Sequence, residues 1–288
     1  MKVNSAYLLD PGQAWWLKCD HANTHSGQLA ALCRDFRTRG ALEVVERTTS
    51  RPGVTEFVFR QHEPFPPEIS LAVGDVLHAL RSALDSLVYG IVLSERGELS
   101  ESEERACQFP IAATPTMFDK FITERKVRDR IYSEPLRKAL SRAQPFYWRE
   151  FTRLNYLEIP VNESYEDSAR NHPLCQIAEL SNIDKHRRLP AAAAWPALRY
   201  YMSDESGGRY SLTPVGPAPW VDGAVVARLS GEGRRPTAVV HECHIALVDV
   251  AHWYESTTDL PDLVASWIER TTYTLSLVVQ SYLQAESK

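Results

Sequence analysis

Apolar side chains along the chain follow two rhythms, one of three and four residues, the other of short β-branched and aromatic runs. Between residues 70 and 94, Val73, Val76, Leu77, Leu80, Leu84, Leu87, Val88 and Ile91 recur mostly at helical intervals and predict a helix with one core-facing side. Residues 12 to 38 predict an earlier helix: Pro11 stands where a helix start tolerates it, and Leu29, Leu32, Cys33 and Phe36 give it a stripe. Short helices are expected at 116 to 126 and 133 to 143. A further one opens at Pro173 and runs to about Arg188 through Leu174, Ile177, Leu180 and Ile183. Pro261 begins a closing helix in which Val264, Ile268, Thr271, Leu275, Val278 and Tyr282 recur with heptad-like spacing, which leaves self-association as a homo-oligomer open.

The second rhythm marks strands. Ala41 to Thr48 and Val54 to Arg60 flank Arg51-Pro52-Gly53, whose turn chemistry predicts an N-terminal β-hairpin. After Pro190, the runs Leu198 to Met202, Gly208 to Leu212, Ala224 to Leu229 and Thr237 to Val250 predict a C-terminal antiparallel sheet. The aromatic stretch Gln144 to Val161 is expected to pack as core or lid. The fold class that follows is α+β, a helical bundle with a β-hairpin and an antiparallel β-sheet. It is expected as one domain over 1–288: a helical core over 12–188 carrying hairpin 41–60, a β insertion over 189–258, and the closing helix 261–285.

Composition narrows the class. With 288 residues, 44% hydrophobic and 24% charged, the chain can bury a sizeable core, which excludes disordered, collagen-like and fibrous classes. No apolar run approaches the roughly 18 residues of a membrane span, and Met1 to Asp10 carries no leader pattern. Cys19, Cys33, Cys107, Cys175 and Cys243 are scattered, with no CxxC pair, which argues against a disulfide framework and a zinc ribbon. A cytoplasmic protein without membrane contact is expected. The net charge of −5 means that nucleic-acid binding would need a local basic patch.

The candidate chemistry lies in two places. In Gly74-Asp75-Val76-Leu77-His78-Ala79-Leu80-Arg81-Ser82-Ala83-Leu84-Asp85, a turn of about 100° per residue gathers Asp75, His78, Arg81, Ser82, Asp85 and Tyr89 opposite the leucines. Such a stripe is either a solvated face or a buried polar seam. In Asn182-Ile183-Asp184-Lys185-His186-Arg187-Arg188, Asn182 and His186 share one helical face. That run is either a helix end whose cations complement its carbonyls or a site in which His186 exchanges protons and Arg187 or Arg81 holds an anion.

These segments, with Phe109-Pro110-Ile111 and Gln144-Pro145-Phe146, resemble a widespread bacterial family whose members carry GDxLHxLRSALD, FPI, QPY and NxDKHR elements in this order. The resemblance covers roughly residues 14 to 190 and implies an intracellular bacterial protein, but it brings no activity or substrate. The chain departs from the pattern at Ala79, where Asn is common, at Ser86, where His is common, and at Phe146, where Tyr is usual. The Ser86 difference weakens a metal reading. A looser likeness is to HEPN ribonucleases, which place Arg and His four to six residues apart on one helix; here Asn182 stands in place of the Arg.

Two functions follow. One is a hydrolase of a phosphodiester or other anionic substrate, with His186 and His78 as acid/base candidates, Asp85 or Asp184 orienting a histidine, Arg81 and Arg187 binding the anion, and Asn182, Asp75, Ser82 and Tyr89 in support. The other is a binding or assembly module in which the same residues form a structural polar network. No metal site is expected. Cys19, His21 and His25 lack a fourth ligand, and in a strand His241 and His244 point to opposite faces. There is no P-loop, no GxGxxG after a strand and no GxSxG. Neither a cofactor nor a partner is indicated.

Overall fold

In the computed structural model, residues 5–147, 169, 171–186, 191–201, 209–215, 221–232, 238–247 and 259–286 are described, and the fold is α+β. The helices are α1 (Ser5–Leu9), α2 (Ala14–Thr38), α3 (Pro67–Arg96), α4 (Glu101–Glu104), α5 (Pro115–Glu124), α6 (Lys126–Ile131), α7 (Glu134–Arg142), α8 (Pro173–His186) and α9 (Leu260–Glu286). The strands are β1 (Leu42–Thr48), β2 (Val54–Gln61), β3 (Ala191–Tyr201), β4 (Arg209–Pro214), β5 (Val225–Glu232) and β6 (Ala238–Leu247). Most of the expected connector 144–161 lies outside the described residues, as do Arg187 and Arg188; the side chain of His186 is not described either.

The chain divides into two compact units, one made of Met1–Ser26, Val73–Arg188 and Val264–Lys288, the other of Gly27–Ala72 and Leu189–Leu263. In the second unit, the hairpin and the later strands are not separate sheets. β2 pairs antiparallel with both β1 and β5, giving a four-stranded order β1-β2-β5-β4, while β3 and β6 form a two-stranded ladder. Local spacing predicts β1, β2, β4, β5 and β6 but only the end of β3, which begins at Ala191 rather than at the expected Leu198, and it carries no information about this long-range pairing. The register of β3 on β6 shifts between Ala194 and Pro196, where proline has no N–H to give the ladder.

The hairpin turn needs a glycine twice over. Gly53 has φ +72°, and a Cβ there would lie 2.8 Å from the Gly231 carbonyl oxygen. Phe57, Val58 and Phe59 of β2 join Leu29, Cys33 and Phe36 of α2 among the buried side chains of this unit. Asp259 ties the unit together. Its carboxylate accepts from Arg37 at 2.6 Å and from the Ile245 N–H at 2.9 Å.

In the first unit, all eight apolar residues that predict α3 are buried. By length and composition this helix is apolar enough to cross a membrane, but its apolar stripe is spent on the core. The heptad-like row of α9 is likewise buried within the chain, so the coiled-coil spacing describes an intramolecular seam. Trp267 of α9 donates its indole N–H to Gln176 of α8 at 2.8 Å, which satisfies a polar group that burial would otherwise leave unpaired. Gly90 of α3 lets Trp15 of α2 approach so closely that a Cβ there would meet Trp15 Cζ3 at 2.5 Å.

Candidate functional site

The polar stripe of α3 has two parts with different surroundings. Its later part grips a segment of extended backbone. Arg81 donates to the Phe109 carbonyl at 2.9 Å, Asp85 accepts from the Phe109 N–H at 2.8 Å, and the two side chains pair at 3.1 Å. An i,i+4 ion pair that elsewhere would decorate a surface here satisfies both backbone groups of a fully buried phenylalanine.

The same segment is held further along. Gln144, buried, accepts from the Ala112 N–H at 2.9 Å and donates to the Pro110 carbonyl at 3.0 Å and the Leu140 carbonyl at 2.9 Å. The Tyr132 hydroxyl accepts from the Gln108 N–H at 3.0 Å and lies 2.7 Å from the Gln108 carbonyl, and burial pushes its pKa up. Arg128 donates to the Gln108 side chain at 2.7 Å and stacks 3.8 Å over the Phe121 ring; burial lowers its pKa. The segments Gly74–Asp85, Phe109-Pro110-Ile111 and Gln144-Pro145 thus meet in one backbone clamp. Phe109-Pro110-Ile111 is the gripped segment, and Arg81, Asp85 and Gln144 are its grips.

Ser82 belongs to another contact. Lys18 of α2 donates to Ser82 and to Ser86, each at 2.6 Å, so both serines are lysine acceptors. Tyr89 donates to Glu104 at 3.4 Å; its pKa is raised by desolvation first and by the Glu104 charge second.

The early part of the stripe is different. Asp75 and His78 are exposed. Gly74, buried between them and the core, leaves room for the carboxylate of Asp184 from α8: a Cβ on Gly74 would lie 3.0 Å from both Asp184 oxygens. Asp184 has its pKa raised by partial burial, with the charge of Asp75 adding to the rise and that of His78 opposing it. From α2, His25 places Nδ1 3.8 Å from Asp75 Oδ2, and its Nε2 lies 2.9 Å from Nε2 of His21. Three helices therefore bring His21, His25, Asp75, His78 and Asp184 to one accessible face of this unit.

Of the sequence candidates, Asp75, His78 and Asp184 meet in this cluster, whereas Arg81 and Asp85 belong to the clamp. Asn182 is exposed, and the side chains of His186 and Arg187 lie outside the described residues. His25, Lys18 and Gln144 are contributions that periodicity does not assign. The i,i+4 spacing of His21 and His25 was the available signal for the first, but it points equally to a surface pair. Cys19 does not join those histidines: it is buried, with its thiol pushed up to about 11 by desolvation. Among the described residues, no group of three or more His, Cys, Asp and Glu is arranged to hold a metal ion. No family model, curated protein or solved structure matches the chain.

Proposed function

We propose that the chain is a hydrolase acting on a phosphodiester or a similar anionic ester, with His78 and Asp184 as its proton-exchanging pair. The observation that carries this reading is the packing of Asp184 against Gly74, beside Asp75 and His78, on a face open to solvent. A carboxyl whose proton affinity is raised beside an accessible imidazole has the division of roles that acid–base hydrolysis needs. His78 takes a proton from water as the water oxygen adds to phosphorus, and Asp184 gives its proton to the departing alkoxide. Asp75 lies 3.8 Å from His25, which shares a hydrogen bond between ring Nε2 atoms with His21 at 2.9 Å, and these side chains border the proposed substrate face.

We assign no anion-binding role to Arg81 in this reading, since its Nη2 is shared between Asp85 and the Phe109 carbonyl. The test is turnover of bis(p-nitrophenyl) phosphate and of a single-stranded RNA by the native chain, by His78→Ala and by Asp184→Asn. Losing a positioned acid or base should slow turnover by about a hundredfold or more. Unchanged melting with that loss supports the proposal; full turnover in both variants overturns it.

A second reading is favoured by the clamp itself. Since Arg81 and Asp85 both bind the backbone of Phe109, these residues serve folding, and the chain is then a binding or assembly module without turnover.

A further inference from the structure

The first unit contains a small cationic cavity that shares no residue with the histidine–aspartate cluster. Its volume is about 80 Å3, and Arg142, Gln144, Tyr147, His172, Arg270 and Tyr273 line it. Arg142 and Arg270 both line this one small space, and no carboxylate is among its described lining residues. Among the described residues neither arginine forms an ion pair; Arg270 instead lies 5.5 Å over the Tyr273 ring. By contrast, Arg81, Arg96 and Arg130 of the same unit each have a carboxylate partner.

His172 does not relieve the charge. It is buried and caps α8 by accepting the Leu174 N–H on Nδ1 at 3.1 Å, and burial together with Arg270 pushes its pKa down to about 3. The imidazole is neutral, so among the described lining residues only the two arginines carry a formal charge. Tyr147 and Tyr273 are both 41% exposed at its mouth. At about 30 Å3 per water, the space holds two or three waters or one compact oxyanion.

We propose that this cavity binds an oxyanion, a phosphate or carboxylate group, between Arg142 and Arg270. Planar guanidinium forks match the geometry of such groups, and charge-assisted hydrogen bonds to them are the strong kind. The two tyrosines decide the source of the anion. If it is the end of an aromatic ligand, the ring emerges from the cavity against them; if it is free inorganic phosphate, they contribute little.

The experiment is calorimetric titration of the full chain with inorganic phosphate, phenyl phosphate and benzoate, at ionic strength held constant with chloride. Saturable binding is expected, weakened about tenfold or more by Arg142→Gln and by Arg270→Gln, as loss of a charge-assisted bond implies. Tighter binding of phenyl phosphate than of phosphate identifies an aromatic ligand, and equal binding identifies the free anion. A parallel measurement needs no variant. Phosphate should slow phenylglyoxal modification of Arg142 and Arg270 in the native chain, read by peptide mass, while leaving exposed Arg34 unchanged. Absence of saturable binding by all three ligands, or modification of both cavity arginines at the same rate with and without phosphate, overturns the proposal.

Discussion

Gln144→Glu changes one atom and its hydrogens in a buried side chain of the clamp that makes three hydrogen bonds. In the native chain the amide nitrogen donates to the carbonyls of Pro110 and Leu140, and the amide oxygen accepts from Ala112. A carboxylate keeps the acceptor but aims its second oxygen at two buried carbonyl oxygens, so it is driven to stay protonated. Protonated, it has one hydrogen for two acceptors, and one bond is lost at a cost of about 1 kcal/mol.

The pH dependence follows from the direction in which that carboxyl is pushed. Its folded-state pKa is raised above its unfolded value of about 4.3, so the folded chain binds more protons. Relative to native, the variant's deficit is therefore smallest below about pH 4. Between the unfolded and the raised folded-state pKa it grows by about 1.4 kcal/mol for each pH unit, and above the raised value it levels off. Urea unfolding followed by circular dichroism at pH 4, 6 and 8, on both proteins, measures the deficit. A deficit that is constant or that shrinks with rising pH would refute the clamp as the source of the penalty.

Other substitutions test separate contacts. Gly90→Ala gains about 1 kcal/mol of helix propensity but forces a Cβ to 2.5 Å from buried Trp15, and overpacking of about 1–3 kcal/mol should win, lowering the melting temperature; Trp15→Phe in the same chain should recover part of the loss. Gly74→Ala meets only a half-buried carboxylate at 3.0 Å, which can turn aside, so stability should stay within about 1 kcal/mol of native while hydrolysis falls with the displaced Asp184. Because His172 is held neutral with a pKa near 3, stability should fall as pH drops from about 6.5, where the unfolded imidazole protonates, towards 3; His172→Asn keeps a helix-capping side chain and should flatten that acid limb in pH-dependent melts. The thiols of Cys19, Cys33 and Cys107, raised to about 11, 12 and 12 by burial, should resist iodoacetamide at pH 8 in the native chain, with labelling at any of them at the rate of a free thiol counting against this core.

Elements were more legible in the sequence than their partners. The helical stripes of α3 and α9 and the Pro-Gly hairpin turn announce themselves because period and turn chemistry are local. The pairing of β2 with β5 is not local, and it merges a hairpin and a later sheet that spacing alone keeps apart. The same limit divides the candidate site. That Arg81, Asp85 and His78 share a helical face is readable at about 100° per residue, but which of them meets a backbone is decided by Phe109, which no periodicity places. Gly74 shows the reverse case. A glycine inside a helix costs about 1 kcal/mol against alanine, and its explanation lies on another helix, in the carboxylate of Asp184.

The polar residues of α3 and its neighbours thus divide into a clamp that serves folding and an open cluster to which we assign the chemistry. That division is tested by setting Asp85→Asn beside Asp184→Asn, with melting and phosphodiester hydrolysis recorded on each. Asp85→Asn should lower the melting temperature, because it weakens the grip on Phe109 and the pairing with Arg81, while Asp184→Asn should melt like the native chain and lose hydrolysis. Native melting in Asp85→Asn, or native hydrolysis in Asp184→Asn, would mean that the stripe is not divided in this way.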